Sequence, residues 1–292
     1  MIVVRLSGGL GNQLFQYALG RYLALMTNTE LVLEDSFYLD GSLNATHRTY
    51  ELDKFAISAR RTSQDERWAL RSYTGPVWKR LRRMLPLPGP LRYVHEPIGK
   101  LVPSVRMSGD HVFIDGYWQS EIYFAGIEDI LGIELQPLLP MSREDQNIVH
   151  QMSEVDAVSL HVRRGDYVSN KAANQMHGVC GIDYYYSAVQ YLAKDLANPV
   201  FFIFSDDLNW VEANLQIDYP CVYVAHNPSA MAVHDLRLMS CANHHIIANS
   251  SFSWWGAWLN PSSAKRVVRP AKWYTGLPKA GEQTCPPSWI AL

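Results

Sequence analysis

Apolar residues fall into two patterns along this chain. Some form short, nearly unbroken runs, the mark of strands covered on both faces. These are Ile2–Leu6, Leu31–Leu33, Val155–Val162, Val200–Phe204, Cys221–Val224, His245–Ala248 and Arg266–Val268. Others recur every three or four positions, as on one side of a helix. From about Asn12 to Met26 the stripes are Leu14, Ala18 and Tyr22, with Phe15, Leu19 and Leu23. Tyr184–Leu196, Leu208–Leu215 and Ala230–Ala242 repeat that helical spacing. Strands alternating with helices predict an α/β protein with parallel sheets. The stretch Arg60–Pro90 is less regular. It carries Lys79-Arg80-Leu81-Arg82-Arg83 and then the proline-rich Leu85–Pro90, so a helical insertion and an exposed loop are expected there. Pro137–Pro140 marks a linker, giving domains at 1–140 and 141–292.

Polar residues gather where three of the C-terminal runs end. The first run gives His161-Val162-Arg163-Arg164-Gly165-Asp166, the second Ser205-Asp206-Asp207, the third Asn249-Ser250-Ser251-Phe252-Ser253. In open parallel sheets ligands bind at the carboxyl ends of strands, so these loops are expected to line one crevice. Two adjacent arginines suit an anion, because the planar guanidinium grips a pair of phosphate oxygens. An aspartate in such a loop commonly accepts from a base or ribose. Asn249, Ser250 and Ser251 ahead of a helix offer hydroxyls and amides, an anion site. Each has a structural alternative. The arginines could form an ion pair that braces the loop, and Asp206, Ser250 and Ser251 could cap helices. Trp254, Trp255 and Trp258 are expected in the core. Near the N-terminus, Gly9-x-Gly11 lacks the third glycine of a dinucleotide fingerprint and the Lys-Ser/Thr of a P-loop. Asn12, just after it, either faces a ligand or caps the helix.

Composition narrows this further. The 292 residues are 48% hydrophobic and 18% charged, with a net charge of −2. That balance gives no overall pull toward nucleic acid or membrane. The 4 cysteines are scattered without a C-x-x-C pair, which argues against zinc and for a reducing compartment. The first residues lack a signal-peptide layout, and no stretch reaches the roughly 18 apolar residues of a membrane span. A cytoplasmic location is expected. One segment stands apart: Trp78–Met84 mixes cations with apolar side chains, which suits peripheral contact with an anionic membrane. A solvated helix face is the alternative.

Three blocks taken together carry a resemblance. They are Gly8-Gly9-Leu10-Gly11-Asn12-Gln13-Leu14-Phe15-Gln16-Tyr17, His161-Val162-Arg163-Arg164-Gly165-Asp166-Tyr167, and Ile247-Ala248-Asn249-Ser250-Ser251-Phe252-Ser253-Trp254-Trp255-Gly256-Ala257-Trp258. The chain resembles the α1,2-fucosyltransferases of glycosyltransferase family 11, in order from residue 1 to about 275. The resemblance implies a GT-B fold, two Rossmann-like domains facing across a cleft, with the acceptor on the N-terminal side and GDP-fucose on the C-terminal side. It implies inverting transfer of fucose to the 2-hydroxyl of a terminal galactose, in an oligosaccharide or O-antigen glycan, with no metal and no cofactor beyond the co-substrate GDP-fucose. No nucleic acid partner is implied. By the same resemblance Arg163 holds the β-phosphate and Arg164 helps. His161 and Asp206 contact ribose or guanine, and Asn249, Ser250, Ser251 and Phe252 frame the diphosphate and base. Gly11 and Asn12 approach the donor, and Gly8-Gly9 stands where related enzymes carry an arginine. Asp166 is the carboxylate expected to act on the acceptor hydroxyl.

Two other readings remain open at this level. One is a glycosyltransferase that uses another nucleotide sugar or another hydroxyl. The other is a non-catalytic glycan-binding protein of the same fold, although sugar binding alone needs no diphosphate grip.

Overall fold

The computed structural model describes residues 1–39, 48–85, 89–97, 99–165, 168, 174–175, 178–275 and 283–292. Two compact units divide between Leu135 and Gln136. Each is built on a wholly parallel sheet with helices, the α/β class expected.

In the first unit, β1 (Ile2–Arg5), α1 (Leu10–Thr27) and β2 (Leu31–Glu34) follow one another, then the single-turn α2 (Ser36–Leu39). After these come β3 (Arg60–Arg61), α3 (Gln64–Thr74), α4 (Pro76–Met84), β4 (Arg92–His95), β5 (Val112–Asp115) and α5 (Glu128–Glu134). The strand order is β3-β2-β1-β5-β4, so the direction of winding reverses between β1 and β5. Helix α1 begins two residues before the periodicity places it. The Gly9 carbonyl already accepts from the amides of Asn12 (3.0 Å) and Gln13 (3.1 Å). Gly9 is the N-cap residue. Gly11 and Asn12 therefore lie inside the first turn, and Asn12 is not the cap. Gly8, at φ +83°, makes the preceding turn in a region that favours glycine. At its other end α1 stops on Asn28 in the left-handed conformation, whose amide bonds the carbonyls of Ala24 and Leu25.

In the second unit, α6 (Arg143–Ser153) and β6 (Asp156–Val162) lead into α7 (Ile182–Ala193), β7 (Pro199–Ser205), α8 (Leu208–Asn214) and β8 (Cys221–Tyr223). Then come α9 (Ala232–Cys241), β9 (His244–Ile246), α10 (Ser251–Trp258), β10 (Val267–Arg269) and β11 (Ile290–Ala291). The order β11-β10-β9-β6-β7-β8 is that of a doubly wound nucleotide-binding sheet, with its reversal between β6 and β9. Both faces are covered. Val158, Leu160 and Val162 of β6 pack with Tyr185, Val189 and Leu192 of α7. Ala157 joins Phe202 and Phe204 of β7 under Leu238 and Met239 of α9. This two-sided burial explains why β6 and β7 read as unbroken apolar runs. Trp254 and Trp255 are buried and Trp258 half-buried, so the aromatic triplet is core, as expected.

In the basic stretch of α4, Lys79, Arg82 and Arg83 have partners within the first unit. Lys79 Nζ lies 2.8 Å and Arg83 Nη2 3.1 Å from the buried Asp115 carboxylate. Arg82 Nε donates to the Ser72 carbonyl, and its guanidinium sits 4.0 Å over the Tyr73 ring. Lys79 and Arg82 are half-buried, whereas Arg80 and Arg83 remain exposed. Among the described residues, no helix is long and apolar enough to cross a membrane.

Candidate active site

The reversal between β6 and β9 decides which loops meet. His161 and Val162 of β6 stand opposite Phe204 and Ser205 of β7, and Leu160 stands opposite Ile246 of β9. The three polar loops picked out in the sequence therefore leave adjacent strands at the carboxyl edge. A sheet opens a crevice where its winding reverses, because the flanking crossovers leave in opposite directions.

At the end of β6, Arg163 Nη1 lies 2.8 Å from Asp206 Oδ2. The other oxygen, Asp206 Oδ1, accepts the Arg164 amide at 2.9 Å. So the Arg-Asp pair foreseen as the bracing alternative exists. It fixes the guanidinium and the loop together, and the Arg163 side chain keeps 20% of its surface exposed. Asp206 is thus engaged as a positioning residue. The helix cap is its neighbour: Asp207 accepts from the Trp210 amide at the start of α8. Arg164 points elsewhere. Its Nε is 3.3 Å from Asp207 Oδ2 and its guanidinium lies 3.6 Å over the Trp210 ring. Side chains of consecutive residues on an extended segment diverge, and Arg164 is spent on α8. A Cβ at Gly165 would stand 2.4 Å from Asp206 Oδ2, so the Asp206 carboxylate would have to shift. Asp166 lies outside the described residues.

His161 is buried, its ring centroid 5.8 Å from that of Phe252. Burial pushes its pKa down to about 4; Asp206 opposes this and Arg163 adds to it. The ring is therefore neutral at neutral pH. Its Nδ1 has no hydrogen-bond partner among the described residues. Buried polar atoms are normally paired, so this nitrogen awaits a partner.

After β9, Ser250 occupies the N-cap position of α10 with extended φ −134° and ψ 125°, yet among the described residues no side-chain cap hydrogen bond is made there. Ser250 is thus the cap by position, its carbonyl accepting the Trp254 amide at 3.0 Å, but not by its hydroxyl. The first amides of α10 keep their capacity for an anion. Ser251 and Phe252 are half-buried there. Asn249 makes side-chain bonds within the protein. It is buried, and its Nδ2 donates to the carbonyls of Gly178 (3.3 Å) and Trp273 (3.4 Å) while Oδ1 accepts from Cys180 Sγ. It braces the loop behind the site. These bonds engage the Asn249 side chain.

The first unit has a polar edge of its own at the β1–β5 reversal. Asn12 Oδ1 accepts from Gln119 Nε2 at 2.7 Å. Gln16 accepts the Ser7 amide (3.0 Å) and donates to the Gly116 carbonyl (3.0 Å), fixing the loops after β1 and β5. Gln13 likewise bonds the Thr49 carbonyl and the Glu51 amide, both at 2.9 Å. Beneath them Arg5, Glu34 and Asp115 end β1, β2 and β5 as buried charges. Arg5 lies 3.9 Å from each carboxylate, an ion pair but not a hydrogen bond. Burial raises the Glu34 pKa, and Asp115 is held low by Lys79 and Tyr93 against its own burial. Sequence reading passed over this cluster. Its signal was the one used for the second unit, a charge closing an apolar run.

Four free cysteines and no group of three potential metal ligands occur among the described residues. The model of the family described as "Glycosyl transferase family 11" matches residues 104–292. The O-antigen biosynthesis glycosyltransferase WbnK of Escherichia coli is 34% identical over 98% of this chain and 99% of its own length. An alpha-1,2-colitosyltransferase of Escherichia coli is 32% identical over 100% of this chain and 99% of its own. Among solved structures, a variant of Arabidopsis thaliana FUT1 in complex with GDP matches with a TM-score of 0.53 at 13% identity, covering 92% of this chain and 70% of that one. That likeness is one of fold.

Proposed function

This chain belongs to glycosyltransferase family 11, and on that premise we propose that it transfers L-fucose from GDP-fucose to the 2-hydroxyl of a terminal galactose, with inversion and without a metal. One observation carries the donor half: Arg163, fixed by Asp206, stands at the winding reversal beside the start of α10. That is a cation and a set of amides where a diphosphate would rest. Negative charge grows on the β-phosphate as the fucose C1–O bond breaks, and Arg163 and the α10 amides oppose it. A single well-placed donor of this kind is worth about 3 kcal/mol. Neutral His161 offers Nδ1 to the nucleoside, with Phe252 alongside. Asn12 serves the transfer step. The galactose oxygen bonds to C1 from the opposite face and its proton departs. Asp166 is the carboxylate proposed to take it.

The fucose reading is supported by the sequence blocks shared with α1,2-fucosyltransferases around Gly11, Arg163 and Ser250. A second reading is favoured by the full-length likeness to an alpha-1,2-colitosyltransferase: the same transfer with colitose, which is fucose without its 3-hydroxyl. The test offers GDP-fucose and GDP-colitose to the enzyme with a β-galactoside, in EDTA, and reads the product linkage by NMR. An α1,2-fucosyl product supports the proposal. A preference for colitose selects the second reading. A strict need for added Mg²⁺ or Mn²⁺, or no GDP release with any galactoside, overturns the mechanism or the activity respectively.

A further inference from the structure

Helix α4 is inside out. Lys79 and Arg83, four residues apart, face Asp115, and Arg82 folds onto Tyr73. The other side carries Val77, Trp78, Leu81, Met84 and, just beyond the helix, Leu85, at the spacing of one helix face. All five are exposed: Val77 by 68%, Trp78 by 52% and Met84 by 70%. Trp68 of the adjoining α3 is 66% exposed, with the Arg71 guanidinium 3.9 Å over its ring. A helix of a soluble protein normally does the reverse, and a contiguous apolar patch rimmed by polar groups marks a surface that something covers.

Charge says what covers it. From Arg67 to His95 the sequence has 7 Lys and Arg residues and no Asp or Glu. Lys79 and Arg83 are paired with Asp115, and the acidic Asp65 and Glu66 lie in the first turn of α3, so the charge beside the apolar face is that of Arg71 and Arg80. Arg71 and Arg80 are exposed at its margin. We propose that the α3–α4 hairpin docks on an anionic phospholipid bilayer. Trp78, Leu81 and Met84 enter the boundary between headgroups and acyl chains, Trp68 lies at headgroup level, and Arg71 and Arg80 meet phosphates. Tryptophan and arginine around a short apolar stripe are the composition that boundary selects. Within the basic run Arg80 joins this contact, while Lys79 and Arg83 face Asp115 and Arg82 lies on Tyr73.

The experiment is sedimentation of the full chain with phosphatidylglycerol–phosphatidylcholine vesicles and with phosphatidylcholine vesicles. Wild type should pellet with the first and stay in solution with the second. Trp78→Ser/Leu81→Ser/Met84→Ser should lower the partition coefficient by about tenfold or more, since several buried methylenes are lost. Arg71→Gln/Arg80→Gln should weaken binding to the anionic vesicles less, in a way that added salt mimics. The altered side chains are exposed, so thermal midpoints should match wild type and report folding. Wild type left in the supernatant with anionic vesicles overturns the proposal. So does a triple variant that pellets like wild type. A wild-type dimer in analytical ultracentrifugation that the triple variant abolishes overturns it in favour of a second copy of the chain.

Discussion

Arg163 reaches Asp206 with one terminal nitrogen, while Arg164 lies over Trp210. Neighbours with the same chemistry thus have separate duties. Replacing Arg163 by alanine should nearly abolish transfer. Lysine should still lose on the order of 10²-fold in kcat/KM, because a point charge cannot grip two oxygens at once. A lysine enzyme that keeps most of its kcat/KM would remove Arg163 from the phosphate. Gly165→Ala probes the same geometry from behind. Its Cβ would displace Asp206, so Arg163 should lose its fixed orientation. GDP affinity by calorimetry should fall roughly tenfold, with the thermal midpoint little changed. Unaltered affinity would mean that Asp206 does not position the arginine. At this scale the sequence showed that charges close β6 and β7, and not which partner each would take. Asp206 and Asp207 have identical chemistry and adjacent positions. Only the turn into α8 decides that the second caps the helix and the first holds Arg163.

The elements most legible in the sequence are those that two layers of helix cover. β6 and β7 are seven-residue runs whose burial needs no partner information to recognise. β3 is two exposed arginines, β4 carries arginine and histidine at its ends, and β11 joins β10 only through pairing late in the chain. Such edge strands are defined by the neighbour that hydrogen-bonds them, so no periodicity announces them. Helix α1 was visible, and its closeness to the sheet was not. A Cβ on Gly20 would stand 2.6 Å from Val4 Cγ2 and 2.7 Å from Leu31 Cδ1. Gly20→Ala gains helix propensity but overpacks this contact, and should destabilise by about 1–3 kcal/mol in urea unfolding. An unchanged or higher midpoint would refute that packing. Helix α9 carries a titration. Burial raises Asp235 to about 6, opposed by Asn227 and His226 and aided by Asp145. Its folded pKa exceeds its unfolded value, so its contribution to stability grows as pH falls from about 6 toward 4. Asp235→Asn keeps an acceptor for Asn227 and removes that gain. Between pH 7 and pH 5 the variant should lose about 1 kcal/mol more than wild type. Parallel pH profiles would refute the raised value.

On the scale of the molecule, the two units repeat one plan with different contents. Each sheet reverses its winding beside its first strand, and each places polar side chains at that edge. The second unit carries the groups proposed for the diphosphate donor: Arg163, the start of α10 and the His161 Nδ1 that has no partner among the described residues. The first has amides and carboxylates: Asn12 bonded to Gln119, Gln16 locking two loops, and buried Glu34 and Asp115. The amides suit sugar hydroxyls, and the carboxylates are already paired with Arg5, Lys79 and Arg83. Binding of GDP and transfer to galactose should therefore separate by unit. Asn12→Ala tests this, since it removes a side chain at the third residue of α1 that is not the helix cap. GDP affinity by calorimetry should stay within about twofold of wild type. The value of kcat at saturating galactoside should fall on the order of 10²-fold, the cost of losing orientation at the reacting carbon. Parallel loss of both would move Asn12 into nucleotide binding. Loss of neither would leave it as a brace for Gln119 and take the first unit's edge out of the reaction.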